Sequence, residues 1–147
     1  MDLKSIGFIA VALIAAAAPA AAEGPRIGQV KNTGGEVTIQ RDGARYAAKP
    51  GDAVYTGDVF ETNDKGSAGI ALVDDTVFSI GPNSQFALDQ FRFDASGGEM
   101  LGDMRRGTLN VVSGEITKRS PGAMKIKTPT AVLNVRGTTF AVQVVGR

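Results

Sequence analysis

The stretch Val37-Thr38-Ile39-Gln40-Arg41-Asp42-Gly43-Ala44-Arg45-Tyr46-Ala47-Ala48 carries the pattern on which the fold reading turns. Val37 and Ile39 lie two apart and so share one face of an extended chain. Asp42-Gly43 then interrupts with two residues that tolerate the positive φ of a tight hairpin turn. A two-stranded hairpin over Val37–Arg41 and Ala44–Ala48 follows. The same grammar repeats outward, with turn signals at Gly34-Gly35, Pro50-Gly51-Asp52, Gly57-Asp58, Asn63-Asp64-Lys65-Gly66, Asp74-Asp75, Gly81-Pro82-Asn83, Ser96-Gly97-Gly98, Pro121-Gly122 and Arg136-Gly137. Punctuation at intervals of about 8 to 12 residues reads as an all-β sandwich or barrel.

Between the turns the apolar residues alternate: Phe78 and Ile80, Phe86 and Leu88, Met124 and Ile126, then Phe140, Val142 and Val144. In Ser84–Phe93 the parity changes, Phe86 and Leu88 sharing one face and Phe91 and Phe93 the other. A bulge near Asp89-Gln90 would let both pairs face the core. Ser67–Val73 carries apolar residues on both parities, as a central strand does. The expected fold class is all-β, a single-domain antiparallel β-sandwich or distorted barrel of many short strands running from about Ile27 to Val145.

The composition of the 147 residues narrows the chemistry: there is no cysteine, histidine or tryptophan, and there are 19 glycines. Cysteine or histidine nucleophiles, a Ser-His-Asp triad, the usual zinc sites and disulfides are thereby excluded. Residues 1–22 differ from the rest, with Lys4, an apolar run from Ile6 to Ala18, Pro19, and Ala20 and Ala22 at the small-residue positions before a cut. Those are the three parts of a secretory signal peptide. The apolar run is too short for a spanning helix, so no stable membrane span is expected after cleavage, and the mature chain would be exported, periplasmic or secreted.

Three segments read together point to a family. The first is Gly51-Asp52-x-Val54-Tyr55-Thr56-Gly57-Asp58, followed by Ala68-Gly69-Ile70 and Asp75-Thr76. The second is Gly107-Thr108-Leu109 running into Val112-Ser113-Gly114. The third runs from Ile126-Lys127-Thr128-Pro129-Thr130-Ala131 through Leu133 and Val135 to Arg136-Gly137-Thr138-Thr139-Phe140. In this order the chain resembles the FecR domain, a β-rich extracytoplasmic module, over roughly Asp52 to Val144, and Val30–Tyr46 also fits.

The best-known members regulate a sigma factor from the inner membrane and receive a signal from a TonB-dependent transporter. Here only the leader precedes the FecR-like region. The resemblance therefore implies an exported, non-catalytic β-domain that engages another protein or the cell envelope. The alternative it implies is an extracytoplasmic component of a transporter-linked relay acting through a separate membrane partner.

The motif residues Gly57, Asp58, Asp75, Gly107, Ser113, Gly114, Thr128, Pro129, Arg136, Gly137 and Thr138 read as architectural. Gly57-Asp58 and Asp74-Asp75 supply turns, Pro129 ends an edge strand, and Gly137 allows a bulge or a close backbone approach. Arg136 is expected partly buried and paired with Asp75 or Asp74, because an unpaired buried guanidinium is costly.

Residues 99–147 carry 8 basic against 3 acidic side chains. Lys118, Arg119, Lys125 and Lys127 flank Ser120-Pro121-Gly122, where a hairpin would bring all four together as a contact for an acidic protein face or an anionic envelope component. The bland counterpart is a solvated edge protected by lysines. Nucleic acid is not an expected partner at a net charge of +1 with no aromatic residues among the basic ones. With tyrosine only at 46 and 55, a stacking platform for sugars is poorly supplied. The acids Asp52, Asp58, Glu61, Asp74 and Asp75 could make a hydrolase pair, yet most sit in turns. No catalytic residue, metal ligand or cofactor is expected.

Overall fold

The computed structural model describes residues 24–145, so the expected leader, 1–22, lies outside the described residues. Within them the elements run β1 (Gly28–Gly34), β2 (Val37–Arg41), β3 (Ala44–Ala47), β4 (Ala53–Val54), β5 (Val59–Thr62), β6 (Ser67–Leu72), β7 (Val77–Ile80), β8 (Gln85–Asp94), β9 (Gly97–Val112), α1 (Glu115–Arg119), β10 (Met124–Lys127), β11 (Val132–Val135) and β12 (Thr139–Val144). The hairpin at the head of the sequence forms as its turn chemistry dictates. Asp42 and Gly43 take φ of 51° and 79°, and Arg41 faces Ala44 across the turn.

The strands make one curled sheet in the order β3-β2-β5-β8-β9-β7-β6-β1-β4, with β10, β11 and β12 joined to it through β9. β9, with 16 residues, belongs to both arms. Its first half pairs with β8 and β10, its second half with β7 and β12. The bend falls at Gly107, whose φ is +92°. A Cβ there would lie 2.0 Å from Ser84 Oγ and 2.5 Å from Ser84 Cα, so glycine is required for both conformation and space. All the pairings are antiparallel except β9 with β10, which is parallel.

Curling brings the two arms over one core. Phe60 and Phe86 from one arm and Phe78 from the other are fully buried, and the rings of Phe78 and Phe86 tilt together at 5.1 Å. Each such phenylalanine contributes about 2–3 kcal/mol by leaving water. The parity change in β8 is resolved by a register shift between Leu88 and Gln90, so that Phe86 and Leu88 are buried and Phe91 and Phe93 pack on the core's margin. β6 is central, flanked by β1 and β7, although Val73 beyond its end is exposed.

Candidate functional site

The four basic residues do not make a hairpin. Lys118 and Arg119 form the last turn of α1, while Lys125 and Lys127 lie on β10. The chain leaves β9 at Val112 yet must return to pair in parallel at Met100–Asp103, and a crossover through α1 makes that return where a tight turn could not. Asp74 starts the helix from a distant loop: its Oδ2 accepts the N–H of Ile116 at 3.1 Å and its carbonyl accepts that of Glu115 at 2.7 Å. The charges are also largely met. Lys118 and Arg119 lie 3.6 and 3.8 Å from Glu115, Arg119 stacks over Phe93, and Lys127 lies between Asp89 and Asp103. Lys125 is exposed and has no ion pair among the described residues.

The motif residues are distributed through the frame. Gly57 takes φ +92° in the turn that leads to the buried Asp58, and Asp75 takes φ +71° next to the buried Asp74. Gly114 is needed for close approach, since a Cβ there would fall 2.1 Å from the Asp74 carbonyl oxygen. Ser113 donates its hydroxyl to Gly137 O at 2.6 Å and its amide to Thr138 O, pinning the corner between β11 and β12. The Thr128 hydroxyl accepts the Ala131 amide at 3.1 Å and closes the turn that contains Pro129.

Three expectations on these residues are corrected. β10 is paired on both sides, so Pro129 follows an inner strand and β11 is the outer one. Gly137 meets nothing nearer than Thr139 O at 3.8 Å, so no close approach demands it. Arg136 is exposed on that corner and has no acid partner among the described residues. Asp74 is unavailable to it, because its oxygens accept from Thr76 and Ile116, and Asp75 sits in its own turn.

The buried guanidinium pair lies elsewhere. Arg41 donates from Nε and Nη2 to the two oxygens of Asp58 at 2.7 Å each, and from Nη2 to Ala53 O at 3.1 Å. The hydrogen bonds it donates to Asp58 hold the Arg41 guanidinium further above its ordinary value. Its Cζ lies 4.6 Å from the ring centre of Tyr55 and 5.4 Å from that of Tyr46. Both tyrosines of the chain thus converge on one residue. They border a recess of about 620 Å³ between the β2–β3 hairpin and β4.

The fold and its joints define an all-β domain. The FecR protein family matches residues 58–147, more than half of the chain, and the chain belongs to that family. A solved structure titled "Cell surface anchoring domain" is 36% identical to it, over 42% of this chain and 83% of that chain, with a TM-score of 0.41. The comparison with curated proteins gives no match. Among the described residues no helix is long and apolar enough to cross a membrane.

Proposed function

We propose that this FecR-family chain is an exported, non-catalytic binding domain that engages a protein of the cell envelope or outside the cell. One observation carries the non-catalytic part: four of the five carboxylates from which a hydrolase pair could be drawn are engaged by the fold, and the fifth, Asp75, stands exposed in a turn. Asp58 is taken by Arg41, Asp74 by Thr76 and Ile116, Glu61 by Arg45 and Arg106, and Asp52 by the Lys49 amide. The contact surface is the exposed side of α1 and β10, where Lys125 has no ion pair among the described residues and Lys118, Arg119 and Lys127, each paired at its own surface, still face solvent toward an acidic protein face or an anionic envelope component. Family membership favours one other reading, an extracytoplasmic part of a transporter-linked relay acting through a separate membrane partner.

Capture from envelope extract at low and high salt tests the proposal, with a Lys118→Glu/Lys125→Glu variant alongside. Loss of one captured protein with salt and with charge reversal is expected. Indifference to both removes the basic surface. A captured membrane regulator would select the relay reading, and a surface protein the first.

A further inference from the structure

We propose that the recess between the β2–β3 hairpin and β4 binds a neutral saccharide bearing N-acetyl groups. Ile39 faces Tyr46 and Arg41 faces Ala44 across the hairpin, so all four lie on the face turned toward the other arm of the sheet. β4, only two residues long, is too short to cover that face. What is left is a shallow depression of about 620 Å³, within the usual range for small-ligand sites.

Three properties of the lining select the ligand. First, two half-buried tyrosine rings and the methyl groups of Ala44 and Ala53 line the recess with apolar surface against which the C–H groups of a sugar can pack. Second, the recess is close to neutral: the charge of Arg41 is met by Asp58, and Lys49 and Asp52 at the rim offset each other. An ionised ligand gains little there to offset its desolvation, which is smaller for an uncharged one. Third, donors remain unspent. Arg41 Nη1 and the hydroxyls of Tyr46 and Tyr55 have no hydrogen-bond partner among the described residues, although the Arg41 side chain is only 15% exposed. An acetamido carbonyl is the strong neutral acceptor that a guanidinium N–H fits, and its methyl group would rest against the alanines. Because Asp58 and Ala53 already fix the guanidinium, binding costs little side-chain entropy. An extended peptide added to β3 is the less suited occupant: that strand has four residues, carries Arg45 and runs into Lys49-Pro50, all of which discourage strand addition.

The chain has two tyrosines and no tryptophan, so its intrinsic fluorescence reports this recess alone. Titration of the full chain with triacetylchitotriose should give a saturable change in tyrosine emission. Cellotriose, which lacks the acetamido groups, and deacetylated chitotriose, which is cationic, should bind roughly tenfold more weakly or not at all. Tyr46→Ala should raise the Kd about five- to tenfold, with Tyr55 as the remaining reporter, whereas Lys65→Glu, exposed in the turn between β5 and β6, should leave it unchanged. Should Tyr46→Ala unfold the chain, saturation transfer from the tyrosine ring protons of the unmodified chain to the acetyl methyl is expected in its place, and its absence counts against the site. No saturable response at millimolar trisaccharide overturns the proposal, as does an equal response to cellotriose, or a response only to an uncharged β-forming hexapeptide. None of these failures touches salt-sensitive capture through Lys118 and Lys125, which lie on other elements.

Discussion

Asp58 accepts three hydrogen bonds while fully buried, two from Arg41 and one from the Tyr55 amide at 3.0 Å. Removing it leaves a guanidinium embedded between two rings without its counter-charge. Asp58→Ala is therefore expected to cost about 3 kcal/mol, seen in urea as a lower midpoint at unchanged slope. A loss below about 1 kcal/mol would mean that solvent screens the pair after all. Two glycines of the family motifs make a sharper contrast. Gly107 combines φ +92° with Ser84 Oγ at 2.0 Å from a would-be Cβ, whereas Gly137 has its nearest atom at 3.8 Å. Gly107→Ala should cost at least about 3 kcal/mol or abolish soluble expression, and Gly137→Ala should change stability by less than about 1 kcal/mol. Equal effects, measured by thermal and urea unfolding, would show that the bend in β9 does not depend on Gly107.

At the scale of the element, the turn between β8 and β9 carries its own titration. The hydroxyl and then the amide of Ser96, with Arg92 after them, hold the Asp94 carboxyl below the usual carboxylate range. A depressed carboxylate contributes order that is present above its unfolded pKa and lost as pH falls through the folded one. The protection of the Ser96 amide, its exchange rate measured against that of an unstructured chain at the same pH, is thus expected to fall on acidification in that window, and Asp94→Asn to remove the step. What the sequence revealed and hid at this scale follows from range. The Asp42-Gly43 turn and the bulge at Asp89 were legible because turn chemistry and a period of two act over a few residues. α1 and the parallel β10 were not, since the carboxylate that caps α1 stands 42 residues earlier in the chain. The tyrosine recess was likewise hidden, although one signal for it existed. Arg41 shares the parity of the buried Val37 and Ile39, and a charge on an inward face calls for a buried acid.

For the whole molecule the decisive feature is that both arms of the sheet share β9. Sixteen residues of one strand supply pairing partners to β8 and β10 on one arm and to β7 and β12 on the other. The buried side chains of the two arms also meet in a single cluster, with Phe78 against Phe86 at the crossing. Neither arm can lose β9 without exposing the apolar face of the other, and with no cysteine in the chain no covalent link can hold one arm after the other has gone. Unfolding should accordingly be one cooperative transition. The tyrosines offer a stringent check, because Tyr46 on β3 and Tyr55 directly after β4 stand at the two ends of the strand order, away from β9, where separate fraying would begin. Tyrosine fluorescence and far-ultraviolet circular dichroism should give one midpoint and one slope in urea, of the order of 1–3 kcal/mol/M. A tyrosine transition at lower urea would instead show that these ends open by themselves, and the shared strand would then unite only the inner part of the sheet.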